Sequence, residues 1–217
     1  MATITAIEVQ KRHPDRVNID LDGQFAFGLA VILAAGLKVG HALDQARIES
    51  LQAKDADEIA YQRALRLVSL RERSEAELRT FLRKHKTPDE VLERTLARLR
   101  EHQHADDAHF AQAWVENRSA FRPRGRRALA WELRRKGVST EVAETVIANI
   151  DETTLAYQAG LKKARQLSAA DWPDFRTKVS AFLARRGFPG TVIAPTVSRL
   201  WSEAHAGQSI AYEEDSP

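Results

Sequence analysis

An internal repeat with a period of about fifty residues runs through most of this chain. Five apolar positions recur in three copies, spaced by 51 residues and then by 50. Because every position keeps the same offset, the sequence predicts three copies of one structural unit placed in tandem. The matching positions are Leu78, Leu129 and Val179; Leu82, Leu133 and Leu183; Val91, Val142 and Val192; Leu96, Ile147 and Val197; and Leu99, Ile150 and Leu200.

Each copy is predicted to contain three helices. From about residue 42 onward, apolar residues recur every three or four positions, which is typical of amphipathic helices. The middle copy has a leading helix, a second helix over 126–136 and a third over 141–150. Gly137 and Gly187 follow the second helix in two copies, where a left-handed residue ends a helix. The first copy has Lys86 instead, so its turn must be made differently.

The first thirty residues predict β-structure. Apolar and polar residues alternate over 17–21 and again over 25–29, and Asp22-Gly23 between them suits a tight two-residue turn. Residues 16–28 therefore predict a β-hairpin, and residues 4–10 offer a third strand, because an isolated hairpin is marginal in water.

The predicted fold is mainly α: three tandem three-helix repeats in an elongated, curved array, with a small N-terminal β-hairpin or three-stranded module. The β-module is assigned to residues 1–42. The repeats are assigned to 43–105, 106–152 and 153–206, and an acidic flexible tail to 207–217.

The sequence also indicates the compartment. The N-terminus lacks a basic start followed by an apolar run, and no stretch approaches the ~20 apolar residues that span a bilayer. The chain has no cysteine, which is compatible with a reducing compartment. A cytoplasmic protein without membrane association is therefore expected.

Catalytic and metal-binding patterns are missing from the sequence. It contains no phosphate-binding GxxxxGK[ST] or GxGxxG motif and no GxSxG nucleophile elbow. His102, His104 and His109 lie beside Asp106 and Asp107, but their spacing fits no metalloprotease helix. The two aspartates are better explained as the start of the next helix. We therefore expect no enzymatic activity, no cofactor and no bound metal.

Charge is distributed unevenly along the chain. The formal net charge is only +3, yet residues 116–136 contain eight basic and two acidic residues, and residues 203–217 contain four acidic and no basic ones. Seven of the eight basic residues are arginines, whose guanidinium groups suit phosphate and carboxylate partners. A solvated helix face would be the simpler explanation of a charged run, but this strong bias favours binding.

Basic residues recur around the second helix of each repeat, and regular stacking would align them for a long anionic or filamentous partner. Trp131 lies opposite Leu129 and Leu133 on its helix, which makes it a candidate for a contact between repeats or with a partner. The predicted binding residues are Arg71, Arg73, Arg83, Lys84, Arg118, Arg122, Arg124, Arg126, Arg127, Arg134, Arg135, Lys136, Lys178, Arg185 and Arg186.

The sequence resembles the RecX family of bacterial recombination modulators over nearly the whole chain. The N-terminal strands, residues 71–78 and residues 182–188 are similar to family segments, although His85-Lys86 departs from the Lys-Gly usual in the first repeat. The middle repeat carries the most specific match, with Asp107, Phe110, Ala111, Trp114, Arg118, Gly125, Leu129, Glu132, Leu133, Lys136 and Gly137.

The resemblance implies a negative regulator that lies in the groove of a RecA filament on DNA, and we expect the protein to be a monomer. There it would limit filament extension or promote disassembly, and so reduce the recombinase, ATPase and co-protease activities of RecA and dampen the SOS response. Single- or double-stranded DNA is a further candidate partner. The alternative is a regulator that binds DNA directly, because small three-helix units also build helix-turn-helix domains.

Overall fold

The structure, a computed structural model, describes residues 1–167 and 169–205. The chain forms two compact units, of which the first is Met1–Ala105 and the second begins at Asp106. The predicted acidic tail over 207–217 lies outside the described residues.

A four-stranded antiparallel sheet opens the first unit. Its strands are β1 (Ala2–Gln10), β2 (His13–Leu21), β3 (Gln24–Ala30) and β4 (Ala42–Leu43), in the order β3-β2-β1-β4. The predicted hairpin is confirmed, because β2 pairs with β3 through a turn at Asp22 and Gly23, both with positive φ. The prediction of three strands was one short, since the two-residue β4 is too brief to show alternation.

The sheet is packed against helix α2 (Gln45–Val68), with the short α1 (Val31–Ala34) between them in sequence. Ile4, Ile19 and Leu29 are fully buried in this core. The Asp55 carboxylate of α2 is also buried, where it accepts hydrogen bonds from the Ala30 backbone N–H at 2.8 Å and from the Arg16 guanidinium at 2.7 and 3.2 Å. This buried pair fixes α2 to the sheet.

The first repeat consists of the later part of α2 with α3 (Glu75–Lys84) and α4 (Asp89–Glu101). Helix α3 begins at an N-cap, where the Ser74 hydroxyl accepts a hydrogen bond from the Glu77 N–H. The five repeated apolar positions of this copy form its core. They are all buried: Leu78, Leu82, Val91, Leu96 and Leu99.

Two further three-helix repeats make up the second unit. The second repeat has α5 (Asp107–Phe121), α6 (Arg126–Arg135) and α7 (Thr140–Ile147), and the third has α8 (Glu152–Arg165), α9 (Trp172–Arg185) and α10 (Gly190–His205). The predicted mainly helical fold with three three-helix repeats is thus confirmed. Ile150 packs against the cores of both repeats.

All three repeats close their second helix with the same turn. In the second repeat the Val138 N–H donates to the Leu133 carbonyl at 3.1 Å, and in the third the Phe188 N–H donates to the Leu183 carbonyl at 3.3 Å. Gly137 and Gly187 supply the positive φ angles of 83° and 86°. Lys86 takes this position in the first repeat with a φ of 57°, so the same turn forms without glycine.

None of the helices in the described ranges is both long enough and apolar enough to cross a lipid bilayer.

Candidate binding surface

The predicted basic residues of the first repeat are mostly paired with carboxylates. Arg71 lies 3.0 Å from Glu77, and Arg73 lies 4.0 Å from the same side chain. Arg83, at the end of α3, lies 3.6 Å from Asp89, and Lys84 beside it is exposed. This pairing leaves little uncompensated positive charge around α3.

In the second repeat, one carboxylate holds two of the predicted binding arginines. Glu132, whose side chain is only 12% exposed, accepts hydrogen bonds from the Arg118 guanidinium at 2.7 Å and from the Trp114 indole N–H at 2.9 Å. The Arg124 Nε atom lies 2.9 Å from the second Glu132 oxygen. Arg118 and Arg124 therefore help to stabilise the repeat, and Glu132 is a structural residue that the charge pattern did not reveal.

Trp114 is enclosed by cations. The Arg118 guanidinium lies 4.2 Å from the centre of its ring, and the Lys136 Nζ atom lies 5.0 Å from it. Such contacts are favourable because the face of an indole ring carries negative charge. Lys136, like Arg118, is thus half-buried against the core of its own repeat.

A different set of side chains points outward from α6. Four residues recur at helical spacing on the side opposite the buried Leu129 and Leu133: Arg127, Trp131, Arg134 and Arg135. We call this set the α6 outward face. Trp131 is 53% exposed, with the Arg135 guanidinium 4.7 Å from its ring centre. Within the described ranges, no carboxylate forms an ion pair with these three arginines.

Arg126 precedes that face and has a different role. Its guanidinium donates to the Ile150 carbonyl at 2.9 Å, and its backbone N–H donates to the Glu152 carboxylate at 2.7 Å. Arg126 therefore connects α6 to the start of α8, which makes it a contact between the second and third repeats.

The predicted basic residues of the third repeat also divide into those that contact other residues and those that are exposed. Lys178 is paired with Asp174 at 2.7 Å, whereas Arg185 is exposed. Arg186 reaches back to the second repeat, where its guanidinium donates to the Pro123 carbonyl at 3.2 Å. Burial lowers the pKa of Arg186, and the neighbouring charges of Arg124 and Arg122 lower it further.

Two glycines allow the second and third repeats to meet at this point. The Gly125 N–H donates to the Arg186 carbonyl at 3.0 Å, and a Cβ atom on Gly125 would lie only 2.3 Å from the Gly187 carbonyl oxygen. A Cβ atom on Gly187 would lie 2.6 Å from Ala128. The contact brings Arg186 close to Arg122 and Arg124, although Arg186 is more than sixty residues away from both in sequence.

The histidine-rich segment forms no metal site in the part of the chain that the structure describes. Asp106 is the N-cap of α5, as the sequence predicted, because its carboxylate accepts hydrogen bonds from the Ala108 and His109 N–H groups at 2.8 and 3.1 Å.

Sequence reasoning did not identify Phe121, which is 78% exposed at the end of α5. Its spacing from Phe110 and Trp114 places it on the same side of the helix as these core residues. The sequence pattern alone would therefore assign it to the core.

Comparisons with known proteins agree with this architecture. Four family models of RecX domains match successive segments of the chain. The regulatory protein RecX N-terminal domain matches residues 2–44, and the first, second and third three-helix domains of RecX match residues 60–99, 106–147 and 150–195.

Relatives that match most of this chain carry the same name. The regulatory protein RecX of Bacillus velezensis is 33% identical over 201 residues, which cover 89% of this chain and 75% of the relative. The regulatory protein RecX of Halalkalibacterium halodurans is 32% identical over 227 residues, covering 99% and 81%.

Solved structures show a similar fold. A crystal structure of regulatory protein RecX superimposes with a TM-score of 0.73 at 29% identity, covering 88% of this chain and 97% of the other. The crystal structure of RecX from Lactobacillus salivarius has a TM-score of 0.62 at 20% identity, covering 68% and 97%, and shows the fold alone.

Proposed function

This chain belongs to the RecX family, and from that premise we propose that it is a negative regulator of RecA that binds in the groove of the RecA–DNA filament. By occupying the groove it would limit filament extension and lower the recombinase, ATPase and co-protease activities of RecA. This proposal extends to our chain what the sequence resemblance implied for the family.

The observation that carries the proposal is the α6 outward face. Three exposed guanidinium groups surround a half-exposed tryptophan there, without an ion pair in the described ranges. Arginine and tryptophan are the residues that most often dominate the energy of protein interfaces. Acidic side chains of RecA would supply the carboxylates that these arginines lack in this chain.

A repeated architecture suits a filamentous partner. The second repeat offers Arg127 and Arg134, and the third offers the exposed Arg185 on its own second helix. Contacts from linked repeats to neighbouring RecA subunits would strengthen one another through effective concentration. Individually weak contacts would then restrain the relative movement of the subunits.

The proposal is tested by measuring RecA ATPase activity on single-stranded DNA with increasing amounts of this protein. Changing Arg127, Arg134 and Arg135 together to Glu should raise the inhibitory concentration about tenfold or more, because three repulsive charges would face the acidic partner. Far-UV circular dichroism should stay unchanged, since these side chains are exposed.

A matched control reverses three exposed cations elsewhere in the second unit, with Lys162→Glu, Arg165→Glu and Arg176→Glu. This variant carries the same total charge, so it should inhibit RecA nearly as well as the parent protein. Equal loss of inhibition in both variants would show that only net charge matters. Unchanged inhibition by the variant of Arg127, Arg134 and Arg135 would show that the α6 outward face does not contribute to inhibition.

The rival function is direct DNA binding in the manner of a helix-turn-helix regulator. It is favoured by the same unpaired arginines, since phosphates are also suitable partners, and by the short turn between α6 and α7. Retardation of naked duplex DNA at the concentrations that inhibit RecA, falling steeply with added salt, would support this function instead.

A further inference from the structure

A groove opens beside the contact between the second and third repeats. It has a volume of about 690 Å³ and an apolar wall that includes Phe121, Pro123 and Leu155. Ser119, Gln158 and Glu116 provide polar groups along the same wall. Phe121 leaves most of its ring exposed in a position where a planar ligand could stack on it.

The loop at Pro123, which lines this groove, carries arginines. Arg122 and Arg124 flank Pro123 in sequence, and the Arg186 guanidinium donates to the Pro123 carbonyl at 3.2 Å. Pro123 is therefore both part of the apolar wall and a neighbour of all three arginines. The Arg186 carbonyl also accepts from the Gly125 N–H at 3.0 Å, which holds the loop in place. The arrangement is therefore built by the backbone contact between two repeats.

Three arginines of this loop contact stand against two carboxylates, Glu132 and Glu116, of which Glu116 lines the groove. Glu132 is the carboxylate that faces Arg124, at 2.9 Å, but it is shared with Arg118. Arg122 and Arg186 have no carboxylate partner within the part of the chain that the structure describes. Burial lowers the pKa of Arg186, and the charges of Arg124 and Arg122 lower it further.

We propose that this loop is a binding site for single-stranded nucleic acid, in which Arg122, Arg124 and Arg186 hold a backbone phosphate and Phe121 stacks on a base. We call these four residues the loop site. A phosphate has oxygens directed to several sides and can accept from three guanidinium groups at once. A carboxylate has only two oxygens, and a single arginine already satisfies both. An acidic protein side chain would therefore engage fewer of the three guanidinium groups than a phosphate would.

The exposed aromatic ring favours a single strand over a duplex. Proteins that bind single strands combine a positively charged groove with aromatic side chains on which unpaired bases stack. The bases of a duplex are already stacked on one another and would have to be unstacked first. The groove beside Phe121 accepts an unpaired base without that penalty.

The loop site and the α6 outward face are separate sets of residues, and they make separate contacts. The inference rests on the proposed function only in that a RecA filament brings single-stranded DNA close to this protein. Binding to a naked oligonucleotide can be measured without RecA, so each proposal can fail while the other stands.

The test uses fluorescence anisotropy of a labelled oligothymidylate of about 20 nucleotides, titrated with the full chain at several salt concentrations. Arg122→Glu should weaken binding about tenfold and lower the slope of log affinity against log salt by about one, because a phosphate contact is lost. Phe121→Ala should weaken binding about fivefold or more through lost stacking, with little change in that slope.

Matched controls exist for both variants. Arg176→Glu reverses an exposed cation elsewhere in the second unit, and Phe25→Ala removes an exposed ring from the β-sheet. Both should bind the oligonucleotide within about twofold of the parent protein. Arg122 and Phe121 are exposed, so their variants should keep the parent circular dichroism spectrum.

Several outcomes would overturn the proposal. Equal losses for Arg122→Glu and Arg176→Glu would show binding through net charge alone. Unchanged affinity in Phe121→Ala, or equal affinity for a duplex of the same length, would show that no base stacks on Phe121. Loss of RecA inhibition in Arg122→Glu with unchanged oligonucleotide binding would make the loop a protein contact instead.

Discussion

The first and second repeats share one architecture but differ in the chemistry of their surfaces. Around α3, Arg71, Arg73 and Arg83 lie beside carboxylates of their own repeat. On α6, Arg127 and Arg134 have no such partner among the described residues. The number of basic residues in a segment therefore says less about binding than the positions of the nearest acidic ones.

The ion pairs around Arg79 in the first repeat and around Glu132 in the second differ in how far they are buried. Arg79 of the first repeat contacts both Glu75 and Glu93, and the Glu93 side chain is 53% exposed. In the second repeat, by contrast, Glu132 is nearly enclosed beneath Trp114 and Arg118. Exposed pairs contribute little to stability, whereas loss of one member of an enclosed pair leaves a charge without its partner.

The largest expected effect follows from that difference. Glu132→Gln should lower the free energy of unfolding of the second unit by about 3 kcal/mol, because the two arginines and the indole N–H lose their shared carboxylate. Urea unfolding followed by tryptophan fluorescence measures this unit directly, since all four tryptophans lie in it.

Glu93→Gln is the matched change in the first repeat. Its effect on urea unfolding, followed by circular dichroism, should be much smaller because the side chain is exposed. Equal destabilisation by Glu93→Gln and Glu132→Gln would show that enclosure of the carboxylate does not decide the size of the effect.

The turn after the second helix gives the next effect. Gly137→Lys should destabilise the second unit by about 1–2 kcal/mol, because a residue with a Cβ atom is strained at a φ of 83°. Lys86→Gly should stabilise the first repeat by up to about 1 kcal/mol, as relief of the strain exceeds the added freedom of the unfolded chain.

The two turn variants require different probes. Tryptophan fluorescence reports on Gly137→Lys, whereas Lys86→Gly lies in the unit without tryptophan and is followed by circular dichroism at 222 nm. No gain in stability from Lys86→Gly would mean that the lysine side chain compensates for its strained backbone.

Much of the fold could be predicted because its signals are periodic. The repeated apolar positions indicated the three units, and Asp22-Gly23 located the hairpin turn. Strand β4 was missed because two residues carry no period, and Phe121 follows the spacing of a core residue although it is exposed. Periodicity identifies the side of a helix but does not show where the neighbouring helices end.

The candidate binding surface was predictable only as a list of cations. Nothing local in the sequence shows that Glu132 faces Arg118 and Arg124, or that Arg186 reaches Pro123 from 63 residues away. Such contacts depend on the crossing of Gly125 and Gly187, which is a property of the packed repeats. Structure was needed to separate the arginines that stabilise the fold from those that face solvent.

The smallest expected effect concerns acid stability in the first repeat. Hydrogen bonds from Arg100, with the charges of Arg100 and Arg79, lower the pKa of Glu75 below its usual value. A lowered pKa in the folded state means that the ionised pair stabilises the protein above the glutamate pKa of the unfolded chain, which is about 4.3. This contribution is lost as the pH falls through the folded pKa.

The comparison of Glu75→Gln with the parent protein isolates this contribution. The parent should be more stable than the variant at pH 6, and the difference should shrink as the pH falls below about 4.3, the glutamate pKa of the unfolded chain. Because the pair is partly exposed, the difference should also decrease with added salt. A difference that stays constant down to pH 3 would mean that the pairing of Glu75 with Arg100 contributes nothing to the acid sensitivity of the first repeat.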